Sequence, residues 1–278
     1  MSFKDILVYV DSTGASRLRL QVALTLAGRF DARLSGLHVI PKPDVPPYFK
    51  PSVVERVAKI YSQNAKVAAA QAETLFREET RAGGITSTWE CTAGDMEELI
   101  AERARFADLL VLGQFDTENP PTISSFLLPA KVVFGSAAPI LVIPNTGKFG
   151  DAGRHPLIAW DGSREAARAI SDALPLLKGA EKVSLLSIDP LRQGHMHDGT
   201  HLSEIVAHLA RHGVVATAKE IALVAPRVTN DLLEHASRIG ADLLVMGAYG
   251  HSRVWEFVVG GTTQDLLEKT TIPVLMSR

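Results

Sequence analysis

Short apolar runs alternate with amphipathic stretches along this chain, and the alternation runs through twice. Asp5-Ile-Leu-Val-Tyr-Val is apolar at successive positions, which predicts a strand covered on both faces. Helical spacing follows over 16–30, with Leu18, Val22 and Leu26 on one stripe. A second strand, Arg33 to Ile40, ends where Pro41-Lys-Pro-Asp-Val-Pro-Pro removes backbone donors and fixes φ. The pattern then predicts a long helix over 52–82, a strand over 85–91, a helix over 96–106 begun near Gly94 or Asp95, and a strand over 109–112. A short helix and a strand over 140–143 complete the set. The second round predicts strands over 157–160, 183–188, 214–221, 243–246 and 274–276. Its helices fall over 163–177, with Ser163 as a cap, 201–212 and 230–239. Strands alternating with helices imply parallel sheets with right-handed crossovers and helices on both faces.

The two rounds are copies. Ala107-Asp-Leu-Leu-Val-Leu-Gly113 recurs as Ala241-Asp-Leu-Leu-Val-Met-Gly247, and Ala107 to Pro139 aligns with Ala241 to Pro273 without a gap. The expected fold is therefore α/β, two tandem doubly wound domains over 1–146 and 155–278. The polar, glycine-rich stretch from Pro144 to Gly153 links them. Asp108 and Asp242 are shared by both copies, which assigns them to the fold rather than to chemistry.

Composition narrows the classes. The 278 residues suit two domains, and 46% hydrophobic residues suffice for two cores. A net charge of −2 gives no bulk attraction to nucleic acid or anionic membrane. No apolar run is long enough to span a bilayer, and Met1-Ser-Phe-Lys-Asp leaves no room for a signal peptide. Cys91 is the one cysteine, so no intrachain disulfide forms; the reading is cytoplasmic, with Cys91 as a small core hydrophobe.

The chemistry concentrates after the fourth strand of the second copy. Met246 and Gly247 lead into Tyr249 and Gly250, and Gly260, Gly261, Thr262 and Thr263 then open a helix. Glycines admit close backbone approach, a helix N-terminus offers free amides and partial positive charge, and threonine adds hydroxyl donors. The combination suits a phosphate; a tight turn with a capped helix is the competing reading. The first copy has Asp116, Phe126, Leu127 and Leu128 where the second has Gly250, Gly260, Gly261 and Thr262. A carboxylate and bulky side chains there oppose phosphate, so the expected site lies in the second copy alone. Gly135-Ser136 reads as a helix end. His195, His197 and His201 offer a start for zinc, against a lid or a solvated loop.

Gly247, Gly250 and Gly260 match in spacing the Gly-x2-Gly-x9-Gly-Ser/Thr motif of the nucleotide-binding universal stress proteins, and the strand pattern around them resembles that family. Gly261 stands in the Ser/Thr place, followed by Thr262, which departs from the motif. The resemblance implies a five-stranded parallel sheet in each domain, of the adenine nucleotide alpha hydrolase-like kind. It also implies that the last strands, 140–143 and 274–276, pair across the domains as an internal pseudo-dimer, with a homodimer of chains as a second level. Asp161 would recognise the adenosine end of ATP, with Mg2+ as companion ion, and Ile188 would meet adenine through its backbone. The implied role is regulatory or sensing in a stress response, with weak ATP hydrolysis at most. The rivals are an interaction scaffold that binds no nucleotide and a metal-dependent binder using the histidine loop.

Overall fold

The computed structural model describes residues 2–42, 51–114, 128–150, 152–188, 200–224, 227–248 and 261–278. The first copy runs β1 (Asp5–Tyr9), α1 (Gly14–Phe30), β2 (Arg33–Pro41), α2 (Pro51–Gly83), β3 (Ser87–Gly94), α3 (Met96–Ala104), β4 (Leu109–Gly113), α4 (Leu128–Gly135) and β5 (Ile140–Ile143). The second runs β6 (Pro156–Ala159), α5 (Arg164–Leu177), β7 (Val183–Ile188), α6 (Thr200–Arg211), β8 (Ala216–Ile221), α7 (Val228–Ile239), β9 (Leu243–Gly247), α8 (Gly261–Lys269) and β10 (Val274–Ser277). The predicted elements are all present, and the imperfection in the repeat is where the sequence places it. α2 has 33 residues and its counterpart α6 has 12.

The ten described strands join one sheet, in the order β3-β2-β1-β4-β5-β10-β9-β6-β7-β8. Each half is five parallel strands, and the halves meet through antiparallel pairing of β10 with β5, Leu275 opposite Leu141. The apolar edges of the two halves thereby satisfy one another's backbone groups. Period-two alternation then divides the side chains between two cores. Ile6 and Val8 face Leu20, Leu26 and Phe76 on one side of the sheet. Leu7 and Tyr9 face Ile100, Val132 and Val133 on the other.

The shared aspartates staple the strand starts, as a fold role requires. Asp108 Oδ2 accepts from the backbone N–H of Lys4 at 2.6 Å and of Asp5 at 3.0 Å, tying the start of β4 to that of β1. Asp242 accepts from the N–H groups of Gly153, Arg154 and His155 and does the same for β9 and β6. α4 ends at Gly135, where Ser136 Oγ donates to Ala138 O, so that pair is a helix end.

Two sequence readings need correction. β3 occupies 87–94 rather than 85–91, because pairing with β2 carries it to Gly94 opposite Pro41, beyond its own apolar run. Cys91 is exposed, not a core hydrophobe, because β3 is an outer strand. Among the described residues, no helix is long and apolar enough to cross a membrane.

Candidate functional site

A doubly wound sheet has a crevice at the carboxyl ends of its strands, where the strand order reverses. This chain has two such crossovers, between β1 and β4 and between β9 and β6. An aspartate follows the strand at each: Asp11 after β1, Asp161 after β6.

At the second crossover, Asp161 Oδ1 accepts from the backbone N–H of Ser163 at 3.0 Å and from its hydroxyl at 2.6 Å. Ser163 Oγ accepts from Ala166 N at 3.1 Å, so it caps α5 as its sequence position predicts. Asp161 thus holds the hydroxyl that holds the helix. Gly247 ends β9 on the neighbouring strand. A Cβ there would lie 2.5 Å from Ala166 N and 2.6 Å from the Glu165 carbonyl carbon, so the first turn of α5 rests directly on the strand backbone. Glu165 is buried there, and its Oε1 accepts from Arg164 Nε at 2.5 Å.

The remaining predicted positions divide in two. Ile188 is the last residue of β7, beside β6 on its other flank, at the same edge as Asp161. Met246 is buried in the core on the α7 and α8 side. α8 begins at Gly261 and contains Thr262 and Thr263; Thr263 is buried. Because α8 returns from β9 to the parallel strand β10, its N-terminus lies at the carboxyl edge with Asp161, Ile188 and Gly247. Tyr249, Gly250, Gly260, His195 and His197 lie outside the described residues, and His201 is described only as backbone in α6. Among the described residues, no group of three or more His, Cys, Asp or Glu could hold a metal ion.

The first crossover is built differently. Asp11 Oδ1 accepts from the N–H and hydroxyl of Thr13, and Oδ2 pairs with Arg19 Nη2 at 2.8 Å. Both side chains are buried. Burial alone would raise the Asp11 carboxyl, but the Arg19 guanidinium and the Thr13 hydrogen bonds outweigh it and hold it below the usual carboxylate range. The guanidinium carbon lies 5.7 Å from the centre of the Tyr9 ring. Burial, then the Asp11 carboxylate, pushes the Tyr9 phenol up. Any Cβ on Gly113 would collide with Arg19 Nη1, so glycine makes room for the guanidinium.

Sequence reasoning missed Arg19, though a signal existed. Counting both copies from their aspartates sets Arg19 opposite Ala169, on a stripe where Leu20, Ala23 and Leu26 match Ile170, Ala173 and Leu176. One charged residue on an otherwise apolar stripe asks for a buried partner. Gln114 was missed too, and no local signal marks it: its Nε2 donates to the carbonyls of Leu267, Glu268 and Thr270 at the end of α8, in the other half of the molecule.

Residues 2–138 and 154–278 each match the model of the universal stress protein family. Universal stress protein Slr1230 of Synechocystis is 41% identical over 59 residues, a stretch that is 21% of this chain and 21% of that relative. A universal stress protein from Archaeoglobus fulgidus DSM 4304 has a TM-score of 0.72 to this fold at 16% identity, covering 99% of this chain and 96% of its own. A functionally unknown protein from Pseudomonas aeruginosa PAO1 has a TM-score of 0.63 at 16% identity, covering 99% of this chain and 92% of its own. At these identities the two structures show the shared architecture.

Proposed function

The chain belongs to the universal stress protein family, with two domains in tandem, and from that premise we propose that its second domain binds ATP or a related adenine nucleotide. In this reading Asp161 holds the ribose side, and Ile188 offers its backbone to adenine. Gly247, Gly250, Gly260, Gly261, Thr262 and Thr263 cradle the phosphates, with Mg2+ bound to these. The role is sensing or regulation in a cytoplasmic stress response, with at most slow hydrolysis, and the chains pair as homodimers.

The observation that carries this reading is the contrast between the two crossovers. The first is filled by a buried arginine; the second has the small side chain of Ala169 at the matching place. A helix N-terminus and a strand-end glycine converge on that second crossover. Such a junction presents free amides to an anion.

One observation favours the scaffold reading. Gly247 is already required by its contact with Glu165 and Ala166, so that glycine has a structural reason without any ligand. Titration calorimetry with ATP and Mg2+ separates the two, run on the parent and on Gly260→Phe, which copies Phe126 of the first domain. One site in the parent and none in the variant is the expected result. No heat from a folded parent would sink the nucleotide reading, and two equivalents would sink its restriction to one domain.

A further inference from the structure

We propose that the first domain's crossover is a site for a guanidinium group, occupied by the chain's own Arg19, rather than a site for nucleotide. The proposal deepens the preceding reading, since it takes the crossovers to be the places where a nucleotide would sit.

The pocket has the chemistry of a cation receptor. Asp11 supplies a buried carboxylate, whose Oδ1 accepts from the N–H and hydroxyl of Thr13 while Oδ2 faces the guanidinium. The Tyr9 ring lies within cation–π range of the guanidinium. Gly113 forms the wall with no side chain. The guanidinium fills this space almost completely, with 6% of the Arg19 side chain exposed. Its Nε is buried with no hydrogen-bond partner among the described residues. Charge and hydrogen bonds to Asp11 hold the group there, against the cost of that orphaned donor.

The second domain has Ala169 at the matching position, fully buried, and there the first turn of α5 rests on Gly247 where in the first domain the guanidinium of Arg19 lies against Gly113. Burying the charge of Arg19 costs desolvation energy, which the ion pair with the Asp11 carboxylate offsets. Arg19 is not free to receive a phosphate, because its charge is already met by Asp11 and little of it reaches solvent. Asp11, in turn, is engaged with Arg19 and Thr13 and is not available to a ribose.

The test uses the full chain with Arg19→Ala, which copies Ala169, and methylguanidinium as the probe. Thermal unfolding of Arg19→Ala should shift upward by several degrees, saturably, with millimolar methylguanidinium. The parent should not shift, nor should Arg19→Met, whose side chain fills the space without charge. Asp11→Asn added to Arg19→Ala should abolish the rescue. If Arg19→Ala folds only with methylguanidinium in the refolding buffer, the proposal stands. Absence of rescue overturns it, whether the variant folds or not. ATP stoichiometry gives the second readout, measured in the Gly260→Phe background so that the second domain does not contribute. No ATP should bind with either Arg19 or Ala at position 19. Binding lost on Arg19→Ala would make Arg19 a phosphate ligand, and binding gained would show a cleft that takes nucleotide; either overturns the proposal. Methylguanidinium rescue does not depend on ATP binding anywhere, so failure of the nucleotide reading and failure of this one are distinguishable.

Discussion

Two glycines at the ends of matching strands do different work, and the difference is measurable. A methyl group at Gly247 meets the backbone of Glu165 and Ala166, which cannot retreat without moving α5. Gly247→Ala should therefore destabilise the protein by about 1–3 kcal/mol, the usual range for overpacking. A methyl at Gly113 meets the side chain of Arg19 instead. Gly113→Ala should cost about 1–3 kcal/mol in the parent, because the methyl overpacks a guanidinium that Asp11 holds in place. In an Arg19→Ala background the same change should cost about 1 kcal/mol or less, since non-additivity is expected of residues in contact. Chemical denaturation of the four chains completes the cycle, and additive costs would refute the contact. The Asp11 carboxyl adds a pH dependence. Its folded pKa is lowered, so its contribution is fully present above the ordinary carboxylate range and is lost as pH falls through the folded value. Acid unfolding of the parent should show this limb, and Asp11→Asn should flatten it.

At the scale of elements, helix starts were legible and strand environments were less so. Ser163 was readable as an N-cap, and the start of α3 as Gly94 or Asp95, because capping depends on residue type and local spacing; Ser163 accepts from Ala166 N, and Asp95 is the cap of α3, accepting from Glu98 N. Ser163→Ala should cost about 1 kcal/mol of stability, and Ser163→Asp, which keeps an acceptor at the cap, should recover part of it. Equal melting curves for Ser163→Ala and the parent would deny the cap a role. Cys91 shows the opposite case. Its neighbours Trp89 and Glu90 give an ambiguous period, and whether a strand lies inside or at the rim is set by its partners, not by its own residues. Arg19 escaped notice for a similar reason: its partner Asp11 comes from the preceding strand through a turn, and only the folded βα unit brings the charges to 2.8 Å.

Among the described residues the molecule is one sheet, and contacts at several places join its halves. β5 and β10 pair antiparallel, Gln114 reaches from the end of β4 to the last carbonyls of α8, and the guanidinium of Arg278 lies 4.3 Å over the ring of Phe134 on α4. The Gln114 link is asymmetric, because the matching position in the second copy is the buried Ala248. Gln114→Ala removes the partner of carbonyls at a helix end, so it should lower stability by about 1–2 kcal/mol. The second half should respond most, which hydrogen exchange at the amides of α8 and β10 reads directly. Unchanged protection there would mean that water replaces the amide at no cost.

Periodicity, glycine and proline placement, and the near-identical heptapeptides were enough to determine the doubling, the order of elements and the class of sheet. Each of these follows from local geometry repeated along the chain. The same spacing marked Asp161, Gly247 and the start of α8, and topology alone carries them to one edge. Tertiary structure decided what neighbours do to a residue: that β3 is a rim and exposes Cys91, that Gly247 carries the first turn of α5, that Arg19 fills one crossover while the other has Ala169 at the matching position. Those outcomes depend on which distant groups share a space, and a linear pattern holds no record of distance.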